Sequence, residues 1–362
     1  MGIGRFSVSI LIPLTGLGII NETIESVIRQ GYPNCEILIL RNDIQDLPQG
    51  TDVAEKDVFY QDTDYLLREI YIRKKGKGNA LNEGICHARN DLVCVLDADC
   101  ILRENALFKA VKHFQNDEVV AVGGRLLVKR EDFCQLEAIQ FCEYMKIFQL
   151  SRRIFAKLNA QCLISGAFGV FRKSTLLGMN GYDIDTVGED MELVLRLQEQ
   201  DDRQSKKQIV YDPAAVCYTG VPHSMKRLLH QRDRWQRGLM DCLIKHHNMI
   251  ANPHYGLLGL ATMCYQLVVE LLGPIFWVIS TVLLIDRNML PFFSVMFAGY
   301  ALVQIGLTIL AAYIDTEKNI GSLLKWMPKL ILTTIEEMFL QIPINVARVI
   351  GMVTFHWRRL EW

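Results

Sequence analysis

Paired cysteines are missing from this sequence. Its ten cysteines stand singly, at 35, 86, 94, 100, 134, 142, 162, 217, 242 and 264, and no C-x-x-C occurs. That spacing excludes the common zinc ribbons and thiol redox motifs. Several fall inside apolar runs, where cysteine acts as a small buried hydrophobe, and we expect a reducing compartment. Net charge is missing too: 39 basic against 40 acidic side chains leave −1. No basic field is available for nucleic acid, and no such partner is expected. Glycine-rich nucleotide motifs are absent. GLG at 16–18 has no third glycine at the dinucleotide spacing, and no GxxxxGK[ST] P-loop occurs. The first apolar run, Val8 to Leu14, is strand length, too short for a signal peptide or a membrane span. No internal repeat or low-complexity segment is evident.

Charge is scarcest towards the C-terminus. Between Gly256 and Ile285 the one charged side chain is Glu270, and between Leu290 and Ile314 there is none. A membrane span needs about 20 apolar residues, so both runs suffice. A third run, Leu330 to Phe355, carries Glu336, Glu337, Gln341, Pro343, Asn345 and Arg348. It reads as a span with a polar face turned to protein, or as a helix lying in the interface.

The 362 residues exceed one average domain and suggest two units. Strand patterns at Val8–Leu14, Glu36–Leu40, Leu92–Leu96 and Val119–Val122 alternate with helical patterns at Glu22–Gln30, Asn79–Ala88 and Asn105–Phe114. This order predicts an α/β fold, a largely parallel sheet with helices on both faces. Ligands of such sheets bind beyond the carboxyl ends of the strands. Ser224 to His247 then sets an apolar stripe (Met225, Leu228, Leu229, Trp235, Leu239, Cys242, Leu243) among lysines and arginines. That pattern predicts a helix lying at the headgroup layer of a membrane.

The run VCVLDADCI places Asp97 and Asp99 at such a carboxyl end. Two carboxylates in D-x-D spacing can hold Mg²⁺ or Mn²⁺, which share their shell with substrate phosphates; the plainer alternative is an exposed acidic turn. In RKKGKGNALNEG, glycines flank Lys77 ahead of a helix, which suits a phosphate and suits a flexible basic loop equally. In DTVGEDMELVLRLQ, Thr186 and Glu189 have capping-box spacing, while Asp190 is free to act as a general base. In QRDRW, one helical turn offers Gln231, Arg234 and Trp235: an arginine for a departing phosphate and an indole face for a sugar. Snorkelling arginines on an interfacial helix are the alternative.

Taken in order, these segments resemble the membrane-bound, GT-A type family 2 glycosyltransferases, the branch of poly-N-acetylglucosamine, hyaluronan, chitin and cellulose synthases. GKGNALN is similar to the family's nucleotide-side loop and LDAD to its metal motif. AIQFCEYMKIF (138–148) is similar to the segment that follows, and SGAFGVFR (165–172) to the one bordering the acceptor. GED is similar to the motif supplying the base, and QRDRW to the Q-x-x-R-W signature. The chain departs from the family where relatives carry an IPxYNE-like segment and a DDGS segment. Here the text is IPLTGLGIINE and ILILRNDIQD. Asp43 takes the nucleobase-contacting place only if the second strand slips by one residue, and Asn42 takes it otherwise. The FxVTxK motif of cellulose synthases has no match.

The resemblance implies a Rossmann-like nucleotide-sugar-binding sheet followed by a C-terminal transmembrane helical region. Residues 1–223 would form the catalytic domain and 224–255 an interface helix. Residues 256–362 would form the membrane domain, with spans near 256–285 and 290–314 and a third membrane helix at 330–355. It implies an inverting transfer from a UDP-sugar, of N-acetylglucosamine or glucose, to a growing polysaccharide at the cytosolic membrane face. Asp97 and Asp99 would hold Mg²⁺ or Mn²⁺, with Asp190 as base and Arg234 on the leaving group. Asp43, Lys77 and Asp97 would bind the donor, and Gln231, Trp235, Gly166 and Glu189 the acceptor. Expected partners are a saccharide or lipid-linked acceptor, membrane lipid, and a secretion partner or second copy. Single-sugar transfer to a polyprenyl phosphate or glycolipid is one alternative, and a non-catalytic nucleotide-binding scaffold another.

Overall fold

A computed structural model describes residues 6–15, 20–45, 47, 51–59, 66–129, 134–200, 207–283, 289–316 and 319–358. The glycines of the 16–18 segment and two cations of the C-terminal region, Lys318 and Arg359, lie outside the described residues.

The first apolar run forms β1 (Val8–Thr15). Val8, Ile10, Leu11 and Ile12 are all fully buried, which requires cover on both faces of the strand. β1 runs parallel to β2 (Cys35–Asn42), and β2 in turn to β4 (Leu66–Ile72), which is antiparallel to β3 (Val53–Phe59). On its other side β1 is parallel to β5 (Leu92–Leu96). Beyond β5 the directions change. β6 (Ile101–Leu102) is antiparallel to β9 (Gln208–Thr219), and β8 (Phe168–Arg172) is antiparallel to both β5 and β7 (Val119–Val128). The order among the described residues is β3-β4-β2-β1-β5-β8-β7-β9-β6. The expectation of a largely parallel sheet is therefore corrected to a mixed one. Strand–helix alternation shows that strands exist; it does not show from which end each enters, and β8 enters where β5 leaves.

Helices α1 (Asn21–Ile28), α2 (Lys77–His87) and α3 (Ala106–Val111) follow in the first half of the chain. α4 (Gln135–Lys146) passes through a π-helical turn, Ile147–Ser151, into α5 (Arg152–Lys157). α6 (Lys173–Gly178) and α7 (Glu189–Glu199) return to the sheet. Leu81 and Ile85 of α2 and Leu193, Val194 and Leu197 of α7 share one buried cluster with Leu11, Leu38, Leu40, Val93 and Val95 of the sheet. Gly84 permits that approach, since a Cβ there would lie 2.6 Å from Leu40 Cδ1.

The chain divides into two compact units, 1–126 with 161–220 and 127–160 with 221–362. Residues 127–160 group with the C-terminal helices in the second unit. The second unit continues with α8 (Met225–Lys245), two π-helical stretches at Leu258–Met263 and Gln266–Leu271, and α9 (Gly273–Leu283). α10 (Leu290–Asp315), α11 (Ile320–Val353) and α12 (Phe355–Arg358) complete it. Leu258–Leu283, Ser294–Asp315 and Ile320–Val353 are each long and apolar enough to cross a membrane.

α8 differs from the surface helix its stripe predicts. Arg237 is fully buried, and Arg232, Asp233 and Asp241 are nearly so, whereas Met225 and Trp235 are exposed. Asp233 pairs with Arg237 at 3.2 Å and Arg358 at 3.5 Å. Helical spacing defines faces; it does not say which face a neighbour covers, and here the polar side finds charged partners. α11 likewise turns Glu337 and Asn345 into protein. Lys146 Nζ donates to both Glu337 oxygens at 2.8 Å and to Gln304 at 3.0 Å.

Candidate active site

The buried strand LVCVL ends in a turn built to present two acids. Cys100 N–H donates to Asp97 O at 3.0 Å, and Thr23 Oγ1 on α1 donates to the intervening Ala98 carbonyl at 2.8 Å. Asp97 N–H donates to Ala167 O at 3.2 Å. This bond extends the β5–β8 pairing one step past Leu96–Phe168 and brings Gly166 to the acidic tip.

α2 brings the positive charge. Gly76, ahead of its first turn, has φ +108°, a conformation side chains disfavour. Lys77 Nζ then reaches Asp97 Oδ1 at 2.5 Å, Gly166 O at 3.1 Å and Glu189 Oε1 at 4.0 Å. Burial alone would lower the pKa of this ammonium, but Asp97, Glu189 and Asp190 outweigh it and hold the pKa above the ordinary lysine value.

α7 brings the third group. Asp190 Oδ2 accepts from Gly166 N–H at 3.0 Å, and Oδ1 accepts from Met191 N–H at 2.8 Å. Gly166 thus offers its carbonyl to Lys77 and its N–H to Asp190. A Cβ on it would sit 3.0 Å from Lys77 Nζ and 3.5 Å from Asp190 Oδ2. The expected capping box is corrected: Gly188, not Thr186, is the N-cap, and Thr186 Oγ1 accepts from Gly188 N–H in a local turn. That places Glu189 at the first helical position, buried and facing Lys77. Asp190, read as free of the helix start, in fact accepts a first-turn N–H.

The donor set at the strand tip fits a hard divalent cation. The Asp99 carboxyl is desolvated and faces the Asp97 charge, and both push its pKa up; a cation there would relieve that repulsion. Asp97, however, spends Oδ1 on Lys77, so a cation would meet chiefly its second oxygen. Among the described residues no cluster of three or more acidic, histidine or cysteine ligands occurs. Two carboxylates would fill part of a shell of about six, leaving the rest to phosphate and water.

β2 ends at Asn42, and Asp43 follows it with φ +62°. Asn42 is buried, and its Oδ1 accepts no hydrogen bond among the described residues. Asp43 Oδ1 accepts from Gln45 Nε2 at 3.2 Å, and the described residues show no contact between Asp43 and the Lys77 cluster. So the structure brings Lys77, Asp97, Gly166, Glu189 and Asp190 together, with Asp99 on the same turn.

The remaining predicted residues lie on α8, in the second unit. Gln231 Oε1 is buried without a partner among the described residues. Arg234 is half-buried and Trp235 is 39% exposed. Sequence reasoning passed over two residues here. The Arg232 guanidinium lies 4.5 Å over the Trp235 ring and is bonded to Glu143 on α4 at 2.6 Å. The segment 138–148 carries part of the family resemblance, but nothing in its spacing marks Glu143. Thr23 carries no sequence signal at all.

Residues 9–176 match the family described as Glycosyl transferase family 2. Over 335 residues the chain is 29% identical to a poly-beta-1,6-N-acetyl-D-glucosamine synthase of Staphylococcus epidermidis, covering 86% of this chain and 76% of that protein. It is also 29% identical over 230 residues to the synthase of that name from Staphylococcus aureus. That match covers 62% of this chain and about half, 52%, of the relative. In three dimensions it resembles a mannosyltransferase from Pyrobaculum calidifontis in complex with GDP-Man and Mn²⁺, with a TM-score of 0.59 at 17% identity. The match covers 98% of this chain and 88% of that one, and it is a likeness of fold. The family match over residues 9–176, the GT-A-like mixed sheet and the apolar C-terminal helices agree: this chain resembles the family 2 glycosyltransferases, the poly-β-1,6-N-acetylglucosamine synthases among them.

Proposed function

We propose that this enzyme transfers N-acetylglucosamine from its UDP-sugar to a growing polysaccharide, with inversion at the anomeric carbon. One observation carries the reading. Gly166 holds a cation on its carbonyl and a carboxylate on its N–H, so Lys77 and Asp190 stand on either side of one small residue. Lys77 uses two of its three N–H donors on Asp97 and Gly166, leaving one for a diphosphate oxygen. Asp190 accepts one backbone N–H on each oxygen, and each oxygen keeps a lone pair for an acceptor hydroxyl. As the acceptor oxygen bonds the anomeric carbon, its proton passes to Asp190 and the bond to the diphosphate breaks. General-base help of this kind is worth about 10²–10⁴ in rate.

Asp99, with the second oxygen of Asp97, would hold Mg²⁺ or Mn²⁺, which stabilises negative charge on the leaving diphosphate when bound. Arg234 adds a cation for the same group, and Gln231 and Trp235 seat the acceptor sugar. Asn42 or Asp43, at the end of β2, would contact the nucleobase of the donor. The names of the staphylococcal relatives support N-acetylglucosamine and a polymeric product.

Catalysis at the cytosolic membrane face fits two stretches, ending at Leu283 and Asp315, that are each long and apolar enough to cross the bilayer. α11 is held along one side by charged helices, Glu337 to Lys146 of α4 and Arg348 to Gln236 of α8 at 2.6 Å. Its other side is an unbroken exposed apolar stripe, Leu324, Leu332, Phe339, Val346 and Val353. That pattern supports a helix lying in the cytosolic interface. Single cysteines at Lys325 and Thr354 would then both resist a membrane-impermeant label in intact cells; labelling of one alone means α11 crosses.

Membranes holding the protein, incubated with radiolabelled UDP-N-acetylglucosamine, UDP-glucose or GDP-mannose and then sized, test the reaction. Polymer from the first, abolished in Asp190→Asn, is expected. A single lipid-linked sugar, or wild-type transfer by Asp190→Asn, overturns the reading.

A further inference from the structure

Trp235 projects from α8 with its indole exposed. An indole that is 39% exposed can seat a sugar only if its plane is held, and the turn of α8 by itself does not hold it. Arg232 stands three residues before Trp235, on the same helical face. Its guanidinium covers the ring at 4.5 Å. A planar guanidinium stacks on an aromatic face as no ammonium can.

Arg232 is itself fixed from another helix. It is 6% exposed, and its Nη2 donates to Glu143 Oε2 at 2.6 Å, within the charge-assisted range. Removing a guanidinium from water is costly unless it is paired, so Glu143 is the partner that permits this burial. Arg232 Nε is buried and bonded to nothing among the described residues. The arrangement therefore keeps the stacked pose at the expense of a hydrogen bond. Nearby, Asp233 Oδ2 is bonded to Arg237, and Gln236 donates to the Glu270 and Leu271 carbonyls.

We propose that Glu143 and Arg232 form a positioning relay from α4 to α8 that sets the plane of the Trp235 indole and thereby the seat of the acceptor sugar. The role in acceptor binding rests on the reading of Trp235 given above; the relay itself rests on the contacts alone. Glu143 and Arg232 touch neither donor nor reacting atoms in this scheme.

The test uses the full chain labelled with fluorotryptophan, its Trp235 resonance assigned by loss in Trp235→Phe. Fluorine NMR of Glu143→Gln and Arg232→Lys should show the Trp235 signal shifted and narrowed while the other tryptophan signals stay put, which also reports an intact fold. With UDP-N-acetylglucosamine as donor and N-acetylglucosamine oligosaccharides as acceptor, both variants should raise the acceptor KM about 3- to 10-fold, with donor KM and kcat at wild-type values. An unmoved Trp235 signal in both variants overturns the relay. A moved signal with acceptor KM unchanged, or with donor KM rising in step, overturns the positioning role. A wild type that transfers no sugar from this donor sinks the proposed reaction and the positioning role with it, and the relay then stands or falls on the fluorine signal.

Discussion

Lys77 Nζ lies 2.5 Å from Asp97 Oδ1, so the first turn of α2 is tied to the acidic tip of β5. The contact gives each charge a counter-charge, and the same ammonium reaches Gly166. A strand end, a helix start and a loop thereby become one rigid object, the property a site needs if reacting groups are to hold position.

Lys77→Met keeps the length of the side chain and removes its charge. Steady-state kinetics should show kcat/KM for the sugar donor falling about 10²-fold or more. Thermal stability should change little, because the paired side chains keep 20% and 32% of their exposure. Wild-type turnover in this variant would remove Lys77 from the mechanism.

Gly166→Ala adds one methyl 3.0 Å from Lys77 Nζ and 3.5 Å from Asp190 Oδ2. The flexible lysine end can yield, so the protein should fold and show an unchanged circular dichroism spectrum. Transfer should fall about 10- to 100-fold, because the ammonium and the carboxylate no longer share one backbone. Full activity would show that their spacing is immaterial.

Glu337→Leu leaves the Lys146 ammonium buried, with Gln304 as its remaining bonded neighbour among the described residues. Removing one partner of such a pair costs about 3–5 kcal/mol. Thermal unfolding in detergent should show that loss, and the double variant Lys146→Met/Glu337→Leu should recover most of it. A double variant as unstable as the single one would mean that the pair fixes geometry beyond its charges.

Asp212 gives a pH dependence. Burial alone would raise its pKa, but His113 at 2.8 Å, the Ala214 N–H and Lys112 at 3.1 Å together hold it below the ordinary carboxylate value. A group depressed in the folded state stabilises above its unfolded pKa, about 3.9, and loses that contribution as pH falls through its folded value. Asp212→Ala should therefore cost about 1–3 kcal/mol at pH 7, and the gap to wild type should shrink below about pH 4. A gap that stays constant in acid would rule out the ionised carboxylate as its source.

Much of the candidate site was legible before folding. The strand tip at Asp97, the glycine-flanked Lys77 and the helix start at Asp190 each carry a local signal, because each depends on neighbours in the chain. The errors share one cause. The Thr186–Glu189 capping box failed because Gly188 takes the N-cap, a choice set by how the loop arrives. The parallel-sheet expectation failed at β8, whose direction depends on a long excursion through α4 and α5. Thr23, Glu143 and Arg232 stayed silent because their partners lie 75, 89 and three residues away, and spacing reveals only the nearest of these.

By itself the sequence determined the alternation of strand and helix in the first unit, the apolar helices of the second, and the residue types that resemble a sugar-nucleotide site. Those follow from periodicity, run length and local motif, which operate within a few turns of chain. Tertiary structure alone decided that Asp97 pairs with a lysine, that Gly166 joins Lys77 to Asp190, and that Arg232, Asp233, Arg237 and Asp241 of α8 face inward. These depend on which distant groups meet. Inside a protein a charge settles wherever its counter-charge lies, because an unpaired one costs more than any local preference returns.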